Sequence, residues 1–150
     1  DRSFSCPNLE RYIIPNGNPV FDIRNNSIVE TATNRLIAGA ILSSKIHESV
    51  TTIGKEAFYE SCIASVDLHA GITTIEDYAF DYSDITQIIC RATTPPTLGE
   101  SPFRLTNYSG RMKVPEESIS LYRSSWYLTD VGYLGWTNYR WGLVALAEGE

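Results

Sequence analysis

Val-Thr-Thr-Ile-Gly-Lys-Glu-Ala-Phe at residues 50–58 returns, with few changes, as Ile-Thr-Thr-Ile-Glu-Asp-Tyr-Ala-Phe at residues 72–80. The two copies lie 22 residues apart, and their apolar positions coincide. A period in the low twenties that repeats apolar positions rather than whole helices is typical of solenoids, in which each repeat forms one turn of chain. The sequence therefore predicts a β-rich solenoid built from short parallel strands.

The same register extends into the segments that flank these two copies. Three strand-like segments share it, at residues 43–47, 65–69 and 87–91, and a fourth at residues 111–115 follows after a slightly larger step. Apolar and polar residues alternate in the second of them, which predicts a strand with Val66 and Leu68 facing inward. A degenerate third copy of the quoted stretch continues at residues 94–98. We expect successive copies to pair in parallel.

A single repeat is too small to stabilise itself. The residues predicted to face inward in one repeat are Phe58, Ile63, Val66, Leu68, Ile72 and Ile75. Their burial contributes roughly 10 to 15 kcal/mol, whereas ordering the backbone costs about 1 to 2 kcal/mol for every residue of the repeat. Stacking on neighbouring repeats must therefore supply the rest. The Ala-Phe segments after Ile53 and Ile75 are too short for full helices, so they are predicted to form short helical turns that bury the phenylalanine.

The composition is that of a folded protein. Of the 150 residues, 43% are hydrophobic and 20% are charged, a balance that separates the chain from disordered sequences. The formal net charge of -6 argues against a nucleic-acid partner, because duplex binding depends on Lys and Arg side chains that neutralise phosphates. No apolar run approaches the roughly 18 to 20 residues that a membrane-spanning helix needs. We therefore expect no membrane insertion by this chain.

The cysteines and the other residues that could support catalysis give little indication of enzymatic activity. Cys6, Cys62 and Cys90 are widely spaced and only two histidines accompany them, which argues against a structural zinc site. Free packed thiols and one unassigned disulfide are both compatible with the sequence. Cys62 and Cys90 are the possible nucleophiles, but Cys90 occupies an inward position and should be inert. No Gly-rich phosphate loop or Gly-x-Ser-x-Gly motif is present, so neither catalysis nor a cofactor is predicted.

The pattern Val/Ile-Thr-Thr-Ile-x-x-x-Ala-Phe, followed by an apolar strand, resembles the BspA-like leucine-rich repeats of bacterial cell-surface proteins. Residues 18–22 and 28–39 resemble the irregular, hairpin-bearing repeat that often precedes their regular ones, and residues 92–98 and 114–118 resemble their closing repeats and cap. The resemblance covers roughly residues 6 to 126. It implies one leucine-rich-repeat domain over residues 1–150 with three parts: irregular repeats at 1–42, regular repeats at 43–108, and a closing repeat and cap at 109–150.

The resemblance also implies a function. Members of this family lie at the bacterial cell surface and are often described as binding extracellular-matrix proteins. We therefore expect a secreted or cell-surface, adhesin-like module that recognises a host or microbial protein or glycan without catalysing a reaction. The alternative is a glycan-binding or structural accessory domain of a larger surface complex.

One column of residues departs from the family pattern. Where the family usually has proline after the inward strand residue, this chain has His47, His69 and Arg91. The two histidines share one register, so they should stack on adjacent strands about 4.8 Å apart, with Arg91 continuing the column. Together with Lys45 and Asp67 they form a candidate ligand-binding surface. A solvated polar surface and a weak metal site are the alternatives.

Aromatic residues are dense near the C-terminus: Tyr122, Trp126, Tyr127, Tyr133, Trp136, Tyr139 and Trp141. Pro115 followed by two glutamates suits the start of a helix. The residues on one face of that helix are apolar and predict an aromatic cap over the last repeat: Ile119, Tyr122 and Trp126. Trp136 and Trp141 are also candidates for a platform on which a sugar or a protein partner packs.

Overall fold

The computed structural model describes residues 11–40, 45–104, 110–126 and 142–147, together with the backbone of residues 128–129 and 132–133. Strands are far more numerous than helices among these residues, which contain a single short α-helix. A strand-rich architecture with little helix fits the repeat fold that the sequence predicts.

The elements of the described residues are numbered in chain order. The strands are β1 (Phe21–Arg24), β2 (Ser27–Glu30), β3 (Arg35–Gly39), β4 (Thr52–Ile53), β5 (Ser65–Leu68), β6 (Thr74–Ile75), β7 (Gln87–Cys90), β8 (Thr97–Leu98), β9 (Arg111–Val114), β10 (Leu128–Thr129), β11 (Gly132–Tyr133) and β12 (Gly142–Ala145). The helix is α1 (Ile119–Ser125), and a 3₁₀ turn at Glu116–Ser118 leads into it.

One parallel sheet contains the strands predicted from the 22-residue register. Its order is β12-β9-β7-β5. Val66 pairs with Ile88, and Ile88 pairs with Met112, so equivalent residues of successive repeats lie side by side. A parallel bridge between Lys45 and Asp67 adds the preceding copy next to β5. The parallel pairing predicted for these segments is confirmed.

The second sheet begins with an irregular segment and continues in the repeat register. Strands β1, β2 and β3 are antiparallel, and Asn25 and Asn26 form the first hairpin turn with φ values of 44° and 61°. Asparagine suits this position because a two-residue hairpin turn of type I′ needs positive φ at both residues. Strand β3 then pairs in parallel with β4, and Thr52, Thr74 and Thr97 follow one another across β4, β6 and β8.

The segments after Ile53 and Ile75 do not form the helical turns that we predicted. Residues 55–60 and 77–82 are instead runs of turns. Four of their residues have positive φ, which an α-helix or a 3₁₀ helix does not allow: Glu56, Glu60, Tyr78 and Tyr82. These four residues fall at two equivalent positions of successive repeats, so the turn conformation itself is repeated.

Backbone hydrogen bonds between repeats explain why turns replace the helix. The N–H of Phe58 donates to the carbonyl of Ala79 at 2.7 Å, and the N–H of Phe80 donates to the carbonyl of Pro102 at 2.8 Å. In a helix these N–H groups would donate to carbonyls four residues earlier in the same segment. The turns therefore add a third column of bonds between successive repeats, beside the two sheets.

The core contains the residues predicted to face inward. Each of the following is at most 2% exposed: Phe58, Ile63, Val66, Leu68, Ile72 and Ile75. The phenylalanines of successive repeats stack, with ring centroids 5.0 Å apart for Phe58 and Phe80 and 5.5 Å apart for Phe80 and Phe103. Trp126 continues the column 5.9 Å beyond Phe103. One aromatic column thus runs through the repeats to the helix that follows them.

Helix α1 covers the end of this column, as predicted. Tyr122 and Trp126 are 0% and 2% exposed, and Ile119 packs against the same core. The Tyr122 hydroxyl donates to the carbonyl of Ala92 at 2.8 Å, and Trp126 Nε1 donates to the carbonyl of Pro96 at 2.8 Å. The hydroxyl of Tyr122 and the indole N–H of Trp126 therefore both have hydrogen-bond partners inside an apolar cap.

After the helix, β12 returns to the first sheet. Gly142 pairs with Arg111 and Leu143 pairs with Met112, both in parallel. The sequence analysis assigned this region to the closing repeat and cap and did not predict the strand. The spacing from Arg111 to Gly142 is 31 residues, which departs from the 22-residue register.

A salt bridge reaches across three strands of the second sheet. Arg35 on β3 donates to Glu76, beyond β6, from Nε to Oε1 at 2.9 Å and from Nη2 to Oε2 at 2.5 Å. The N–H of Lys55, beyond β4, donates to the same Oε2 at 2.8 Å. The hydrogen bonds from Arg35 hold the pKa of Glu76 below its ordinary value. Glu76 therefore joins three successive repeats.

The cysteines have different states. Cys62 is disulfide-bonded, whereas Cys90 is a buried free thiol; Cys6 lies outside the described residues. Burial raises the pKa of Cys90, and its Sγ lies 3.1 Å from the Tyr122 hydroxyl. The interpretation as free packed thiols is therefore right for Cys90 and wrong for Cys62.

Candidate functional site

The five polar residues singled out between Lys45 and Arg91 lie around one groove. Its volume is about 430 Å³. We call it the histidine groove, and its lining residues are Asn25, Lys45, Ile46, His47, Glu48, Asp67, His69 and Arg91. Residues from three successive copies of the repeat thus contribute to a single concavity.

Strand pairing explains why these residues meet. The bridge between Lys45 and Asp67 fixes the first copy against the second, and Asp67 pairs with Ile89 in the third. The N–H of Arg91 donates to the carbonyl of Leu68 at 2.9 Å, so the parallel register continues past the end of β7. Because alternate residues face opposite sides of a strand, Asp67 and its neighbours two residues away share the outward side.

Arg91 and Asp67 form a two-pronged ion pair inside the groove. Arg91 Nε donates to Asp67 Oδ1 at 2.8 Å, and Arg91 Nη2 donates to Oδ2 at 2.8 Å. The two side chains are 33% and 19% exposed, and the hydrogen bonds to Asp67 raise the pKa of Arg91. Both oxygens of the Asp67 carboxylate therefore already accept a charge-assisted hydrogen bond.

Each histidine stabilises the turn that it begins. The carbonyl of the histidine accepts the N–H three residues later, at 2.9 Å for His47 and 3.1 Å for His69. The ring takes part as well, because Nδ1 of His47 accepts the N–H of Ser49 at 3.2 Å and Nδ1 of His69 accepts the N–H of Gly71 at 3.0 Å. Asp and Asn side chains act in the same way in Asx turns.

These bonds decide which ring nitrogen carries the proton. A neutral imidazole whose Nδ1 accepts a hydrogen bond is protonated at Nε2. His47 and His69 therefore hold Nε2–H as a donor, in the same tautomer and in the same register. Nε2 of His69 is buried and has no hydrogen-bond partner among the described residues.

A second concavity adjoins the first at Arg91. Its volume is about 270 Å³. We call it the threonine cleft, and its lining residues are Ala70, Ile72, Thr73, Arg91, Ala92, Thr93, Thr94, Pro95 and Thr97. Among the described residues, no Phe, Tyr or Trp side chain lines either concavity. Hydroxyl and small apolar groups thus continue the surface beyond the charged groove.

Comparison with known families identifies the repeat. The family described as BspA type leucine-rich repeat region matches residues 38–134 with six copies, which is more than half of the chain. The chain belongs to this family. No curated protein and no solved structure shows a significant match.

Within the BspA-type repeat, the structure accounts for the departure from proline. Proline has no N–H and its side chain cannot accept a hydrogen bond, whereas His47 and His69 each accept one through the ring. The sequence carried a signal for this role, since a small residue, Ser49 or Gly71, stands two positions after each histidine. Sequence reasoning did not use that signal.

Two further polar residues of the groove were missed. Glu48 follows His47 directly, and Asn25 reaches the groove from the β1–β2 hairpin, where its Nδ2 donates to the carbonyl of Lys45 at 3.4 Å. Asn25 lies outside the 22-residue register, so the repeat pattern contains no signal for it. Trp136 and Trp141, the candidates for an aromatic platform, lie outside the described residues.

Two other findings concern the part of the chain that the structure describes. The described residues contain no group of three or more His, Cys, Asp or Glu side chains that could hold a metal ion. In the same part of the chain, no helix is both long and apolar enough to cross a membrane.

Proposed function

We propose that this chain is an exported or cell-surface, non-enzymatic binding module, adhesin-like, that recognises a host or microbial macromolecule. The observation that carries the proposal is the histidine groove, in which polar side chains from three successive repeats converge. The threonine cleft extends the same surface. An elongated surface of this kind suits a macromolecular partner, such as a host extracellular-matrix protein, better than a small metabolite.

The architecture that we propose is one solenoid. The first sheet, the parallel part of the second sheet and the column of turns would form three sides of each turn of chain, with irregular repeats at 1–42, regular repeats at 43–108 and a closing repeat and cap at 109–150. The registers support this arrangement, because each of the three columns links equivalent residues of successive repeats. Such stacking lets binding residues of different repeats align.

The state of the cysteines supports both export and the absence of catalysis. Disulfides persist in oxidising compartments outside the cytosol, so the disulfide at Cys62 favours an exported protein. A disulfide sulfur is not a thiolate nucleophile, and the raised pKa of Cys90 keeps that buried thiol protonated at neutral pH. The family itself is generally one of binding modules.

A binding screen tests the proposal. The purified chain is applied to immobilised matrix proteins and to a glycan array, beside the double variant His69→Ala, Arg91→Ala. We expect the chain to bind at least one matrix protein and the double variant to lose that binding. Lys55→Gln is the matched control, because Lys55 lies outside both concavities and its removal should leave binding unchanged.

The other outcomes are equally informative. Absence of binding to every protein on the surface would contradict the proposal. Glycan binding that survives the double variant would move the function to the glycan-binding accessory domain, and substitution of Trp136 and Trp141 would then locate that site.

A further inference from the structure

The outward side of the first sheet carries an excess of positive charge. In strands β5, β7 and β9 buried residues alternate with residues that face away from the core. The charged residues on the outward side are four cations and one carboxylate: Lys45, Arg91, Arg111, Lys113 and Asp67. We call this side the basic sheet face, and Glu48 at its rim adds one more negative charge. The whole chain has a net charge of -6, so positive charge is concentrated on this face.

Strand pairing spreads these cations across the sheet. One row of paired residues runs from Ser65 through Gln87 to Arg111. Lys113 lies two residues further along β9, and Lys45 lies three strands away from it. At the usual strand spacing, the cations therefore span roughly 14 Å. Lys45 and Arg111 are exposed, and Lys113 is partly exposed. A ligand that contacts all three must be elongated and must carry several anionic groups.

The other groups of this face favour a saccharide over a polypeptide or a nucleic acid. Ser65 and Gln87, both partly exposed, offer a hydroxyl and an amide that can each donate and accept a hydrogen bond. Strands β7 and β9 each have a neighbour on both sides, so neither has an open edge for main-chain pairing with an extended polypeptide.

Aromatic residues are missing from β5, β7, β9 and β12, the four described strands of this sheet. The bases of single-stranded nucleic acids stack on aromatic side chains, so this face is poorly suited to them. The acidic remainder of the chain disfavours a duplex, because duplex binding depends on net positive charge. A polysaccharide with anionic substituents thus matches the charges, the hydroxyl and the amide together.

We propose that the basic sheet face binds an anionic polysaccharide, with sulfate or carboxylate groups held by Lys45, Arg111 and Lys113. The sugar hydroxyls bond to Ser65 and Gln87. The inference goes beyond the proposed function, because it assigns a second class of ligand to strands on the far side of the histidine groove. An arginine fork and lysine ammonium groups bind such anions through charge-assisted hydrogen bonds, which do not require an enclosed pocket.

The experiment measures binding of the full chain to immobilised heparin, a polysaccharide that carries both sulfate and carboxylate groups, at several salt concentrations. The comparison ligands are neutral dextran, polyglutamate and duplex DNA. We expect saturable binding to heparin that weakens as salt rises, since salt screens ionic contacts. Dextran should not bind. Polyglutamate and DNA should bind at least about tenfold more weakly than heparin, because polyglutamate has no hydroxyl groups and the acidic chain repels a duplex.

Matched variants locate the site on the sheet. The double variant Arg111→Gln, Lys113→Gln removes two cations that face away from the core and should bind heparin about tenfold more weakly. Gln87→Lys adds a cation beside Arg111 and should bind several-fold more tightly, a gain that loss of folding cannot produce. Lys55→Gln is the control, because Lys55 is exposed on the turn after β4 and its removal should leave the affinity unchanged.

Several results would overturn the inference. These are no binding to heparin at low salt, equal affinities of the wild type and the double variant, and a loss with Lys55→Gln as large as that of the double variant. Binding of polyglutamate or DNA as tight as that of heparin would assign the face to that polymer instead. If a matrix protein binds in the screen while heparin does not bind here, the inference fails and the proposed function stands. If heparin binds and no matrix protein does, the inference stands and the proposed protein recognition fails.

Discussion

The carboxylate of Glu76 holds three successive repeats together, so its removal should destabilise the stack. Hydrogen bonds that involve a charged group contribute about 1.5 to 3 kcal/mol, whereas an exposed ion pair contributes only about 0.2 to 1 kcal/mol. The side chains of Arg35 and Glu76 are 32% and 31% exposed, which places their interaction between these limits. We expect a coupling energy of about 1 to 1.5 kcal/mol between the two side chains.

Glu76→Ala loses the bond from the Lys55 N–H as well, so it should lower the free energy of unfolding by about 2 kcal/mol. Glu76→Gln keeps an acceptor for that N–H and should cost about 1 kcal/mol. Urea unfolding of the wild type, the single variants and the double variant Arg35→Gln, Glu76→Gln gives the coupling energy directly. Glu117→Gln is the control, because Glu117 is exposed and should change stability by less than about 0.5 kcal/mol.

The same pair predicts how the stabilisation depends on pH. The pKa of Glu76 is lowered from an ordinary value of 4.5 by the hydrogen bonds from Arg35. A group with a lowered folded-state pKa stabilises the fold fully above its unfolded pKa, and the stabilisation is lost as the pH falls through the folded pKa. The difference between wild type and Glu76→Gln should therefore be constant from pH 7 to about pH 5 and shrink below that. A coupling energy below about 0.3 kcal/mol, or a difference that persists unchanged at pH 2, would refute this reasoning.

Three further substitutions should also destabilise the chain, each measured by urea unfolding. Phe80→Ala removes a 0% exposed ring from the middle of the aromatic column and should cost about 3 to 5 kcal/mol; a cost below about 1 kcal/mol would mean that the column does not pack as described. Gly39→Ala would place a methyl group in steric overlap with the ring of Phe58, so we expect a loss of about 1 to 3 kcal/mol, and a neutral result would contradict that contact. Tyr122→Phe leaves the buried carbonyl of Ala92 without its 2.8 Å hydrogen bond and should cost about 1 to 3 kcal/mol, whereas an unchanged midpoint would show that another group replaces the hydroxyl.

The features that follow the 22-residue period were predictable because each repeat presents the same apolar positions to its neighbours. Val66 and Leu68 could be placed inside by alternation alone, and Cys90 by its register with them. Strand β12 could not be found in this way. It pairs with β9 at a spacing of 31 residues. The helical cap lies between the two strands, so the 22-residue period does not extend to β12.

The candidate site was predictable in part for the same reason. Register placed His47, His69 and Arg91 in one column, and the structure brings all three to one groove. The ion pair between Arg91 and Asp67 joins side chains of adjacent repeats whose positions differ by 24 residues, two more than the period. Diagonal contacts of this kind depend on side-chain length and rotamer, which a register of backbone positions does not specify.

The failed prediction of helical turns has a cause that lies outside the segment itself. Residues 55–60 contain Glu, Ala and Lys, which are good helix formers, and the left-handed conformation costs a residue other than glycine about 1 to 2 kcal/mol. Locally, then, Glu56 and Glu60 should avoid positive φ. With the next repeat in place, their N–H groups donate to the carbonyls of Asp77 and Asp81 at 3.1 Å and 3.0 Å, and these bonds offset the local cost of positive φ. The conformation of each turn is thus selected by its neighbour, which is why local sequence preference gives the wrong answer at these positions.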